Sequence, residues 1–97
     1  MQITPAQKRA LRSRAHYLKA VVSVGQHGLG ENVMHEIDCA LEAHELVKIK
    51  LGSTDRDAKR QLLEEIVAST AAELIQTIGH VAVLFRRNRK KPRIVLP

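Results

Sequence analysis

Val21-Val22-Ser23-Val24-Gly25-Gln26-His27-Gly28-Leu29-Gly30 is the stretch on which the fold turns, an apolar strand that runs into a G-x-x-G turn and hands over at once to a helix. A strand feeding a helix is the first half of a crossover unit, the element that builds parallel strand pairs. Two glycines with polar residues between them also let a turn lie flat with its N–H groups directed outward, a shape suited to anions.

Upstream, Thr4-Pro5-Ala6-Gln7 reads as a helix start: Thr4 caps, Pro5 suits the first turn, and Gln7 completes a capping box. This first helix is expected to run to about Leu18, with Leu11, Ala15 and Leu18 on its inner face. Lys8, Arg9, Arg12, His16 and Lys19 then form a basic flank. Such a flank is either an ordinary solvated face or a contact surface. Downstream, Glu31 to about Glu45 repeats apolar residues as a helix does, at Val33, Ile37 and Leu41. Leu46 to Leu51 alternates instead, placing Val47, Ile49 and Leu51 on one sheet face and Leu46, Lys48 and Lys50 on the other, which is expected to be partly wet and cationic.

Gly52-Ser53-Thr54-Asp55 breaks that strand and offers caps for a third helix, Asp55 to about Ala71, with Ala58, Leu62 and Ile66 inward. Leu74 to Ile78 and Val81 to Phe85 flank Gly79-His80, a two-residue hairpin linker with glycine first. Ile94-Val95-Leu96 is expected to bring the end of the chain back to the fold as a short edge strand. The order α-β-α-β-α-β-β predicts two crossover units and a hairpin, an α/β two-layer sandwich with a mixed four-stranded sheet in one domain.

The net charge of +6 is unevenly spread. Residues 1 to 30 carry five Lys or Arg and no acid, residues 31 to 45 carry five acids and no Lys or Arg, and residues 74 to 97 carry six basic residues and no acid. A basic surface of this kind attracts a polyanion. With Tyr17 and Phe85 as the only aromatics outside histidine, the composition argues against a sheet that reads single-stranded bases by stacking, so affinity is expected from phosphate contacts and backbone shape. Phe85 reads as core, and Tyr17 stays open between packing and contact. Arg86, Arg87, Arg89 and Lys90 begin a run that is either a surface for phosphate or a disordered basic tail.

No catalytic constellation is legible. His35 and Cys39 stand at helical spacing but lack a third and fourth metal ligand, and read as a buried thiol beside a surface histidine. Glu64-Glu65 and Asp55/Asp57 read as solvation and dipole pairing, and no Walker or dinucleotide fingerprint occurs. A single cysteine fits a reducing compartment, and no run approaches the ~20 apolar residues of a membrane span. The expectation is a cytosolic, non-enzymatic binding protein without cofactor, metal, membrane or small-molecule substrate.

With its elements placed, the chain resembles the CRM domain (chloroplast RNA splicing and ribosome maturation) in its stand-alone bacterial YhbY-type form. The likeness is carried by V-V-S-V-G-Q-H-G-L at Val21 to Leu29, A-L-E-A-H-E-L-V-K-I-K at Ala40 to Lys50, D-R-D-A-K at Asp55 to Lys59 and I-G-H-V-A-V-L-F-R at Ile78 to Arg86. The resemblance implies a fold like the C-terminal domain of translation initiation factor three. It also implies a KH-like loop at Gly25, Gln26, His27 and Gly28 on the RNA surface. As partners it implies large-subunit ribosomal RNA or its precursor, in pre-ribosomal particles. Gln26 stands where the family commonly has a basic residue, which moves the expected charge to Lys8, Arg9, Arg12, Lys48, Lys50 and the Arg86 segment. The rival reading is a protein-interaction adaptor that docks through the acidic helix Glu31 to Glu45.

Overall fold

The structure, a computed structural model, describes residues 3–25, 30–52 and 55–97. The elements follow the expected order: α1 (Pro5–Ala15), β1 (Ala20–Val24), α2 (Glu31–His44), β2 (Leu46–Leu51), α3 (Arg56–Thr70), β3 (Glu73–Ile78) and β4 (Val81–Phe85). The strands form one mixed sheet in the order β1-β2-β4-β3. The α2 crossover lays β2 parallel to β1, and β4 runs antiparallel between β2 and β3. The α3 crossover therefore carries β3 two places beyond β2, leaving a slot between them that the hairpin fills with β4. Gly79 turns that hairpin at φ +56, a conformation that L side chains rarely adopt.

Alternation along β2 decides which helix lies where. Val47, Ile49 and Leu51 bury against Ile37 and Leu41 of α2 and Ile66 of α3. On the opposite face Leu46, Ile75, Val83 and Phe85 meet Leu11 and Ala15 of α1 and Ile94 near the chain end. The face expected to be partly wet is thus dry at one end and cationic at the other, where Lys48 is half-buried and Lys50 exposed.

The element ends depart from expectation for local reasons. Helix α1 stops at Ala15, because the N–H groups of Tyr17 and Leu18 reach back only three residues, to Arg14 O at 3.3 Å and Ala15 O at 3.0 Å. Leu18, expected inward, is 38% exposed, and Lys19 lies in the link to β1 rather than on the helix flank. In α3 Ile66 is buried as expected, but Leu63 takes the buried place expected of Leu62, which like Ala58 is only half-buried. Both readings fit one helical face, and packing on α2 and β3 selects between them. Asp55 caps α3 by accepting from Asp57 N at 3.2 Å, whereas Ser53 and Thr54 lie outside the described residues. Ile94-Val95-Leu96 forms no strand, but Ile94 is buried and Leu96 packs beside it.

Candidate nucleic-acid interface

Burying Leu11 and Ala15 turns the next residues of α1 toward the uncovered part of the sheet. Arg9, Arg12, His16 and Tyr17 line one side of a groove of about 520 Å³, and Lys48, Gln76 and Ile78 come from the strands. Among the described residues no carboxylate lines this groove, so its cations keep their full attraction for an anion. The ammonium of Lys48 donates to Leu18 O at 3.1 Å, which fastens the chain after α1 to the sheet and leaves two further donors on the same nitrogen. Lys50 follows on the same face and pairs in register with Ser23, two residues before Gly25. The cationic track from α1 therefore points toward the base of the glycine turn.

Gly25 is exposed, and a Cβ built there meets nothing within 4 Å. Among the described residues, packing gives no reason for its missing side chain. Gly52 differs: a Cβ there would lie 2.8 Å from Val24 O, and its N–H donates to the same oxygen at 2.7 Å, so the ends of β1 and β2 close tightly on each other. Gln26, His27 and Gly28, the rest of the expected loop, lie outside the described residues.

The other expected contacts separate into two groups. Lys8 is half-buried on α1, and Arg89 and Lys90 are exposed on a turn in which Asn88 Oδ1 accepts from Lys90 N and Lys91 N, each at 3.1 Å. None of the three lines the groove. Arg86 and Arg87 instead turn inward. Arg86 pairs with Asp38 at 2.6 Å and Glu42 at 3.2 Å and donates to Thr70 O at 2.9 Å. Arg87 pairs with Glu45 at 3.2 Å, donates to Ile94 O at 2.7 Å and lies over the ring of Phe85. With side chains 19% and 23% exposed, these two guanidiniums neutralise α2 rather than extend the basic surface. The run from Arg86 is accordingly not a tail but a strap tied to the domain.

The residue that ties it was missed from sequence. Glu45 is 0% exposed, and its carboxylate accepts from the backbone N–H of Asn88 and Arg93, each at 2.6 Å, and of Ile94 at 2.8 Å, besides the Arg87 guanidinium. One of those N–H groups, that of Ile94, lies in the segment expected to add a strand and is taken by the carboxylate instead. Burial pushes the Glu45 carboxyl up, but the Asn88, Arg93 and Ile94 N–H groups and then the Arg87 charge outweigh it and hold it below its ordinary value. Its backbone takes φ 63 and ψ −46, ending α2 in a region that side chains rarely occupy. One sequence signal pointed to it: an acid at a helix C-terminus faces the negative end of the dipole and needs another reason to be there.

Three of the five acids of the block pair with the strap: Glu45 is buried, and the Asp38 and Glu42 side chains stay 53% and 64% exposed. Cys39 is exposed, not buried as expected, with its Sγ 3.5 Å from His35 Nε2. Among the described residues no group of three or more His, Cys, Asp or Glu could hold a metal, and no helix is long and apolar enough to cross a membrane.

The CRS1 / YhbY (CRM) domain model matches residues 3–86. A Haemophilus influenzae protein named as an RNA-binding protein is 42% identical over 95 residues, 98% of this chain and 95% of that protein. A Pseudomonas aeruginosa protein named as a probable RNA-binding protein is also 42% identical, over 93% of this chain and 86% of its own length. Among solved structures, that of a Staphylococcus aureus protein described as a candidate for RNA binding matches with a TM-score of 0.84 and 36% identity, covering 99% of this chain and 100% of that one.

Proposed function

The chain belongs to the CRS1 / YhbY (CRM) domain family, and on that premise we propose that it is a non-enzymatic RNA-binding protein of the cytoplasm. In this reading it contacts large-subunit ribosomal RNA or its precursor and assists assembly of the large ribosomal subunit. The observation that carries the reading is the groove in which Arg9, Arg12 and Lys48 converge without a carboxylate, while the basic residues nearest the acidic helix are neutralised internally. A surface that keeps its charge on one side and cancels it on the other suits a polyanion approaching from the groove side. Against the adaptor reading, Asp38, Glu42 and Glu45 already carry Arg86 and Arg87 as ion-pair partners, which lowers the net negative charge that α2 offers a docking partner.

Phosphate binding releases counterions, so affinity falls with salt in proportion to the contacts made. Arg12→Ala should lower RNA affinity and flatten the log K against log salt slope by about one unit. Gly25→Asp combined with Gly28→Asp should weaken binding while Gly25→Asp alone leaves the fold intact, given the open space at that position. Crosslinking in cells should recover large-subunit ribosomal RNA, with crosslinked peptides from α1 and the Gly25 turn. An unchanged salt slope for Arg12→Ala would remove the groove from the interface, and diffuse RNA recovery would refute the ribosomal assignment.

A further inference from the structure

Tyr17 is 84% exposed, although an aromatic ring of its size commonly hides most of its surface in a core. It is nonetheless held in place. Its N–H donates to Arg14 O at 3.3 Å, the following residue is clamped by Lys48, and His16 meets its ring in a T-shaped contact with centroids 5.3 Å apart at 85°. An edge contact with one neighbour leaves most of the π-surface open. The ring also stands between two unlike grooves. On one side lies the cationic groove of Arg9, Arg12 and Lys48. On the other lies a groove of about 740 Å³ lined mainly by apolar residues, Leu18, Val21, Leu46 and Ile94 among them, with Arg14 and Arg93 also on its lining.

An unpaired nucleotide has the matching two parts, an anionic phosphate and a flat, weakly polar base. A duplex presents the first and hides the second. Resting on the RNA-binding reading above, we propose that Tyr17 is the stacking platform for one unpaired base of the bound RNA. The flanking phosphates lie in the Arg9–Arg12–Lys48 groove, and the ligand is therefore RNA with a bulge or loop rather than a continuous duplex. One platform reads no sequence by itself, since every base has a π-face, but it selects for a base that is out of the stack.

The test compares a hairpin carrying a fluorescent purine analogue in its unpaired loop with a blunt duplex of equal length. Both are titrated with the wild-type protein and with Tyr17→Ala, Tyr17→Phe and Arg12→Ala variants. Tyr17→Ala should weaken loop RNA by about 5- to 150-fold, the span of measured base–aromatic stacking, and leave duplex affinity and the salt slope unchanged. Tyr17→Phe should bind as wild type does, and the analogue should be quenched by every variant that keeps the ring. Because the ring is exposed, its removal does not threaten the fold, which circular dichroism verifies. Equal loop affinity for Tyr17→Ala and wild type overturns the proposal and leaves the apolar groove to a protein segment, and equal losses on loop and duplex overturn it too. Arg12→Ala separates the two readings: if it weakens both RNAs while Tyr17→Ala weakens neither, the groove binds RNA but the base platform is refuted. If neither variant matters, the groove reading falls with it.

Discussion

Replacing Glu45 by alanine removes the acceptor of three backbone N–H groups and the partner of Arg87 in one step. Hydrogen bonds to a charged acceptor contribute about 1.5–3 kcal/mol each, and the entropy of ordering the strap offsets part of their sum. Breaking a buried ion pair by removing one partner costs about 3–5 kcal/mol, and that is the expected loss in urea unfolding at neutral pH. It is a large share of the roughly 5–15 kcal/mol that stabilises a domain of this size. The strap should come loose well before the domain unfolds, exposing the bonds after Arg89 and Lys90 to trypsin. Glu45→Gly should be less harmful than Glu45→Ala by about 1 kcal/mol, since glycine accepts φ 63 without strain. A loss below about 1 kcal/mol for Glu45→Ala, with trypsin cleavage no faster than in wild type, would refute the view that this carboxylate holds the strap.

The same residue sets an acid limit. Its carboxyl is held below its ordinary 4.5, so its contribution is complete above that pH and is lost as pH falls through the lower folded value. The stability gap between wild type and Glu45→Gln should accordingly shrink on acidification below about pH 4.5, and a gap that is constant down to pH 3 would contradict the assignment. Gly52→Ala puts a Cβ 2.8 Å from Val24 O and should cost about 1–3 kcal/mol in denaturant unfolding and lower RNA affinity by displacing the base of the Gly25 turn. Thr4→Ala removes the oxygen that accepts from Gln7 N at 3.1 Å and should destabilise the protein by about 1 kcal/mol, read as a lower urea midpoint at constant slope.

Much of this molecule was legible in the chain because its signals are local. The alternation of Val47, Ile49 and Leu51, the Thr4–Gln7 capping box, the glycine of the Gly79-His80 hairpin and the spacing of Ile37 and Leu41 each depend on neighbours within a turn or a strand. Those signals suffice for the element order, the mixed sheet and the basic flank of α1. Charge is different, since its meaning depends on what lies across from it. Arg86 and Arg12 are the same residue type in equally basic runs, yet folding lays one against Asp38 and Glu42 and leaves the other facing a groove without acids. Glu45 reads in sequence as the last of five surface acids, and only the return of residues 87–94 makes it a buried anchor. The sequence by itself determined the fold class and the total charge, because propensity and periodicity act over a few residues. Tertiary structure alone decided which charges cancel, which remain for a partner, and that Tyr17 stands between a cationic and an apolar groove, because Coulomb pairing and burial act through space between residues far apart in the chain.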